Sequence, residues 1–563
     1  MNCLRWAGLF CVFFAFNAYG QLDASMARKV DSIFSPWDKS DGPGCALAIL
    51  KDGKIIYERG YGMSNLEYGI AITPKSVFHV ASISKQFTAA AIQLLALQGK
   101  LSLNDDIRKY IPEAPDLGHV ITIANLIHHT SGLRDQWDLQ GLAGWRDDDV
   151  IKEGDIMDMF KRQQGLNFVP GDDYSYCNTG FTLLGVIVKR VTGVSLRDYA
   201  DSVFFKPLGM SSTVFHSDHT EIVPNRTSAY HEADDHRFAI SIPVFDNYGA
   251  TSLFTTVEDL ARWDENFYTH QVGGEAFIHA MLLPGILNNG AQQTYASGLS
   301  LGEYRGNRFV DHAGADAGYR ADFLRFPDKH FSVIVLANLG NMNPSALCRR
   351  VANLFLPPWT GEVTTVKLLD SSVARRWTGQ YFDPVSKAQA EISFQPVKGF
   401  PNANLKNYGT ILRTLSDSSF VEPSGTQYAF SAGPGSSAGA GSSVASGAGA
   451  RLVIHTAGML DRHFVKVPLA LLPAAELAAY AGEYHSQELA IDVVVSVKDS
   501  LLQLKIPRSE TLALYPYGRD TFVGPFVVEF DRDKHHRVVA LRLSTGRSRN
   551  LVFTAVSATR GLH

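Results

Sequence analysis

Apolar positions along the first two thirds of the chain switch between a period of two and a period near 3.6. Cys45 to Leu50 and Lys54 to Tyr61 are β-type runs separated by Lys51-Asp52-Gly53, where glycine supplies the positive φ of a hairpin turn. Phe87, Ala91, Leu94 and Leu95 recur at helical spacing and Gly99 stands where that helix ends; Leu184, Ile187 and Val191 repeat the period. Tyr319 to Phe326 and Phe331 to Asn338 flank Pro327-Asp328-Lys329-His330, a second hairpin, and Ser345 to Phe355 reads as a closing helix. Helices mixed with antiparallel hairpins predict an α+β domain.

Beyond about residue 362 the helical period fades and short β-type runs take over, which puts a domain boundary near Pro357 to Val363. Trp377-Thr378-Gly379-Gln380-Tyr381 is echoed by Tyr480-Ala481-Gly482-Glu483-Tyr484, and Asp417-Ser418-Ser419-Phe420 by Asp520-Thr521-Phe522. Two echoes at nearly equal offset predict a duplicated unit of about 100 residues, each the size of a small antiparallel barrel. The expected division is 1–20, 21–362, 363–467 and 468–563, with Ser431 to Ala450 a Gly/Ser/Ala-rich excursion inside the first tail unit.

Length and composition fit this division. The chain has 563 residues, 45% of them hydrophobic and 19% charged, enough apolar material for several cores. Lysine and arginine total 52 against 56 acidic residues, a net charge of −4 with no block of one sign, which argues against a nucleic-acid partner and for a small-molecule or short-peptide one. Arg5, the apolar run Trp6 to Phe16 and the small residues Ala18 and Gly20 read as a secretory signal, so a periplasmic or secreted location is expected, a retained N-terminal anchor staying open. No later stretch has the length of a membrane span, so none is expected in the mature chain. With Cys3 and Cys11 removed, Cys45, Cys177 and Cys348 remain, an odd number that excludes a disulfide framework.

Three local patterns carry chemistry. In Ser82-Ile83-Ser84-Lys85, Ser82 and Lys85 share one helix face, so the amine can reach the hydroxyl; the alternative is a helix cap with a solvated lysine. In Tyr176-Cys177-Asn178, residues two apart point the same way in an extended segment and offer a phenol and an amide to one cleft; the alternative is a turn with Asn178 as cap. In His312-Ala313-Gly314, small residues on an edge strand let a ligand approach the main chain. Other signals are discounted: Gly435-Ser436-Ser437-Ala438-Gly439 lacks the strand and helix of a nucleophile elbow, and His231, Glu232, Asp234, Asp235 and His236 read as a solvated loop. His128 and His129 read as packing and turn residues.

In that order the three patterns resemble the active site of the serine β-lactamase and penicillin-binding-protein superfamily, and most closely its class C-type branch with esterases and D-aminopeptidases. His129-Thr130-Ser131-Gly132-Leu133, Thr255-Thr256-Val257-Glu258-Asp259-Leu260 with Trp263, and Gly318-Tyr319-Arg320 support the resemblance over residues 25–358. It implies an antiparallel sheet flanked by helices with an all-helical region, followed by two lipocalin-like barrels as in D-aminopeptidases. It also implies Ser82 as nucleophile, Lys85 and Tyr176 sharing general-base duty with Lys85 holding the phenol's proton affinity low, and Asn178 orienting Lys85 or the substrate amide. The oxyanion would lie between the N–H groups of Ser82 and Ala315, beside Gly314, with His312 facing the substrate; no metal or cofactor is implied. Two departures stand out. His312-Ala313-Gly314 replaces Lys-Thr-Gly, which puts carboxylate recognition and penicillin hydrolysis in doubt, and Cys177 replaces the usual serine and reads as a small buried residue. The expected function is an exported serine hydrolase acting on a small D-residue peptide or an ester. Its rivals are a sensor that acylates without turnover, a true β-lactamase and a DD-carboxypeptidase.

Overall fold

The computed structural model describes residues 22–556 except 234, 236, 358–370, 395–402, 406–409, 423–425, 433–448, 457–458 and 468–471. The signal segment, most of the Gly/Ser excursion and most of the boundary at 357–363 lie outside the described residues.

Helix α1 (Ala24–Phe34) leads into the hairpin β1 (Cys45–Lys51) and β2 (Lys54–Tyr61), whose two-residue turn Asp52-Gly53 has φ of 49° and 74°. Two positive φ values match the right-handed twist of the paired strands, as the sequence led us to expect. Helices α2 (Ser84–Leu97), α3 (Asn178–Thr192) and α4 (Val257–Thr269) follow. Strands β3 (Ser300–Tyr304), β4 (Asn307–Asp316), β5 (Tyr319–Phe326) and β6 (Phe331–Ala337) and helix α5 (Pro344–Phe355) complete the domain. The sheet is antiparallel throughout in the order β3-β4-β5-β6-β1-β2.

The central strands read as unbroken apolar runs because both faces of the sheet are covered. Ala46, Ala48 and Leu50 of β1, with Ile334 and Leu336 of β6, pack into the core that holds α2 and α3. Cys45, Leu47, Ile49, Val333 and Val335 point the other way, against Val30 and Phe34 of α1 and Leu347 and Val351 of α5. Helix α2 is enclosed on nearly every side, and this later decides the state of its single lysine. Among the described residues no single helix is long and apolar enough to cross a membrane.

The tail forms two closed eight-stranded antiparallel barrels, 379–466 and 482–555, matching the expected architecture. Closure pairs Tyr381 with Lys466 in the first and Tyr484 with Ala555 in the second. The echoed residues do equivalent work. Tyr381 and Tyr484 each donate a hydroxyl to the carbonyl four residues upstream, at Trp377 (2.9 Å) and Tyr480 (2.8 Å). Phe430 and Phe530 each meet a phenylalanine edge-on, Phe420 and Phe522, with centroids 5.6 Å apart in both barrels.

The second barrel packs Leu477 and Tyr480 into one cluster with Leu139, Leu142 and Met159 of the helical region. At its centre Arg134 and Glu488 form an ion pair in which both side chains are under 5% exposed. Asp173 takes a bidentate pair from Arg462 of the first barrel, both contacts at 2.9 Å, and faces Arg549 of the second at 3.8 Å. All three units therefore meet beside the segment that carries Tyr176.

Arg134→Ala leaves the Glu488 carboxylate buried and unpaired, a change that costs about 3–5 kcal/mol. Thermal unfolding followed by calorimetry is expected to show a transition several degrees lower for this variant; an unchanged transition would contradict the interface as described.

Candidate active site

The site is built around a strained turn. Ala81 adopts a left-handed φ of 47°, and Ser82 follows in a short 3-10 turn (Ala81–Ile83) that runs directly into α2. Ser82 is partly exposed, and the N-cap position of α2 falls on Ile83, so Ser82 is not the cap of the simpler reading. Strand β4 presses on the same turn. A side chain at Gly314 would place its Cβ 2.2 Å from the Val80 carbonyl, so only glycine allows this approach. Because β3 pairs only with residues 307–311, the stretch His312–Asp316 has no outer neighbour within the sheet.

One turn beyond Ser82, the Lys85 amine is completely buried and donates to Ser82 Oγ (3.0 Å), Asn178 Oδ1 (2.8 Å) and the Ala250 carbonyl (2.7 Å). Three acceptors exhaust the three donors of an ammonium group. Burial pushes its pKa down to about 7, partly opposed by the carboxylates of Asp316 and Asp135. Near neutral pH a large fraction of this amine is uncharged, with a lone pair close to the Ser82 hydroxyl.

Tyr176 shares the cleft wall with Ser82, and its ring centroid is 4.8 Å from the Lys85 amine. Here the structure departs from expectation. The phenol's proton affinity is raised by burial rather than held low by Lys85. The group that titrates near neutrality is therefore the lysine, and Tyr176 enters as a protonated hydroxyl that can pass a proton on. The His129 ring lies tilted against the Tyr176 ring with centroids 4.2 Å apart, and its Nδ1 accepts the Cys177 N–H at 3.0 Å.

Asn178 is the first residue of α3 and is no cap. Its N–H and Nδ2 both donate to Asp135 Oδ2, at 2.6 and 2.8 Å, which turns Oδ1 toward Lys85. Cys177 points away into the core against the Arg134 carbonyl, and burial pushes its thiol up to about 12, in keeping with a packing role. His312 lines the cleft. Its Nδ1 lies 2.7 Å from the Ala313 carbonyl and so carries the proton, leaving Nε2 to accept from the Tyr295 hydroxyl at 2.9 Å. Burial and the nearby Lys85 amine lower its pKa to about 4, so it is neutral at pH 7.

These groups open into a cleft of about 630 Å3 whose walls include Ser82, Tyr176, Asn178, His312, Gly314 and Ala315. The structure thus brings every residue singled out from the sequence to one place, Lys85 lying just beneath the surface. Four participants were missed. Ala250 acts through its carbonyl, which leaves no side-chain signal. Asp135 follows the quoted Leu133 by two residues and caps the next helix through Oδ1. Tyr295 precedes β3, and Arg547 arrives from the second barrel. Of the discounted histidine-acid stretch, Asp235 is ion-paired with Arg237, and residues 234 and 236 lie outside the described set.

The Beta-lactamase family model matches residues 28–355, more than half of the chain, and the protein belongs to this family. A D-aminopeptidase of Brucella ovis is 27% identical over 350 residues, which are 61% of this chain and 64% of that relative. A D-aminopeptidase of Cereibacter sphaeroides is 25% identical over 468 residues, covering 81% of this chain and 82% of its own. Among solved structures, an octameric penicillin-binding protein homologue from Pyrococcus abyssi superposes with a TM-score of 0.55 at 21% identity, over 79% of this chain and all of that one. These likenesses extend the shared fold into the tail.

If Lys85 is the base, kcat/KM for an activated ester rises about tenfold per unit below pH 7 and flattens above it, as the amine loses its proton. His312 is already neutral across this window. A profile flat between roughly pH 6 and 8 would exclude the lysine as the titrating base.

Proposed function

We propose that the protein is an exported serine hydrolase that opens an amide or ester of a small D-residue substrate through an acyl-enzyme on Ser82. The observation that carries the mechanism is the buried Lys85 amine, lowered to about 7 and 3.0 Å from Ser82 Oγ. Neutral Lys85 takes the hydroxyl proton as Oγ attacks the carbonyl carbon. The oxyanion forms beside the backbone of Ser82 and Ala315. Collapse breaks the bond to the amine or alcohol, which leaves with the proton returned from Lys85, directly or through the Tyr176 hydroxyl. Water then attacks the ester carbonyl, giving one proton to the amine, and Ser82 regains its proton as the acid departs.

The D-residue assignment draws on the relatives named D-aminopeptidase, which share between 25% and 27% identity with this chain. Export draws on the apolar run Trp6 to Phe16 behind Arg5.

The test is hydrolysis of paired D- and L-alanine p-nitroanilides and p-nitrophenyl acetate by the wild type and Ser82→Ala. D-selective anilide cleavage is expected, falling by about a thousandfold or more in the variant, with the fold retained: Ser82 caps no helix, and Lys85 keeps two of its three acceptors, a loss of about 1–3 kcal/mol at most. Turnover by a normally folded Ser82→Ala protein would end the acyl-enzyme reading, and cleavage of the ester alone would end the peptide assignment.

A further inference from the structure

Six arginines lie where the barrels meet the catalytic domain, and five have acceptors in hand, Arg162 at the Glu488 carbonyl and Arg508 at Asp149 among them. Arg134 pairs with Glu488 and donates to the carbonyls of Arg549 and Asn550; Arg462 grips Asp173; Arg549 faces the same carboxylate. Arg547 differs. On the loop 545–550 of the second barrel, it is its backbone that serves the interface: the N–H donates to Asp138 Oδ2 (3.1 Å) and the carbonyl accepts from Asn167 Nδ2 (2.8 Å). The neighbouring Thr545 hydroxyl is held by the same Asp138 carboxylate. The Arg547 guanidinium lies 5.2 Å from the centroid of the Tyr176 ring, on the wall of the cleft that Ser82 opens into. Among the described residues no carboxylate comes within ion-pair distance of it, although Asp135 and Asp138 stabilise its charge from farther away.

The opposite wall carries a second guanidinium, Arg320, but part of it is already spent. His312 is neutral, and Arg320 donates to the carbonyls of Ala317 and Tyr319. Asp316, the carboxylate on that wall, is bound to Thr251 and His79. A planar guanidinium lying over an aromatic ring, with no acceptor on its N–H fork among the described residues, is matched by a carboxylate, which it can bind through two parallel hydrogen bonds.

We propose that Arg547 is the anion receptor of the cleft and that the substrates carry a free carboxylate, the cation coming from the barrel rather than from the position His312 occupies. The inference deepens the hydrolase reading and rests on it for the claim that the ligand is a substrate. The carboxylate itself can be tested without turnover.

The experiment measures binding of N-acetyl-D-alanyl-D-alanine and of its C-terminal carboxamide to full-length Ser82→Ala protein by calorimetry, with and without Arg547→Ala. The free acid is expected to bind about tenfold more tightly than the amide, with the preference weakening at high salt. Arg547→Ala should remove the preference, Arg547→Lys restore part of it, and Arg547→Glu reverse it. Because the interface uses the backbone of Arg547, the alanine variant should unfold at the wild-type temperature. Equal binding of acid and amide before the substitution, or a preference that survives it, overturns the proposal. Ser82→Ala hydrolysis assays judge the acyl-enzyme separately, so the two readings fail on different measurements.

Discussion

The removal of the Lys85 amine from water is the constraint on which the site depends. A charged amine in an apolar helix bundle is expensive, and the fold answers by supplying three acceptors and by letting the group shed its proton near neutral pH. Each acceptor is fixed by a different part of the chain. Ser82 is set by the left-handed Ala81, Asn178 by Asp135, and the Ala250 carbonyl by the segment that follows Gly249, whose φ of 101° only glycine tolerates readily. The amine gathers the helical region, the sheet and the loop between them around one point.

The same logic accounts for the division of labour between lysine and tyrosine. Both are buried, yet burial acts on them in opposite senses, lowering the proton affinity of an amine and raising that of a phenol. Lysine is thereby suited to accept a proton and tyrosine to carry one across. No further charge is needed at the serine, which fits the neutral His312 bonded to Tyr295 and the Ala313 carbonyl.

Much of this was legible in the sequence because it rests on local rules. Asp52-Gly53 specified its hairpin, the spacing of Ser82 and Lys85 put them on one helix face, and alternation placed Tyr176 and Asn178 together with Cys177 turned inward. The duplicated barrels showed through paired aromatic residues because each begins with the same tyrosine hydroxyl bond to the carbonyl four residues upstream. What escaped depends on contacts between distant segments. Ala250 contributes only a carbonyl, Asp135 has the ordinary look of a helix cap, and Arg547 stands in an ordinary turn near the far end of the chain from Ser82. The sense of the Tyr176 shift was missed for a related reason, since depth of burial is a property of the assembled fold.

The loop 545–550 joins neighbouring strands of a barrel that closes without it, Val538–Ser544 and Leu551–Ala555. Its Arg547 reaches the cleft but belongs to neither the sheet nor the helices that fix Ser82 and Lys85. Ligand preference and bond-breaking machinery are therefore encoded in separate stretches of the gene. A change confined to the exposed Arg547 side chain can redirect the enzyme to new ligands, whereas Ser548 and Arg549 of the same loop are buried against Asp135 and Asn167, so this architecture lets specificity change one side chain at a time around a fixed chemistry.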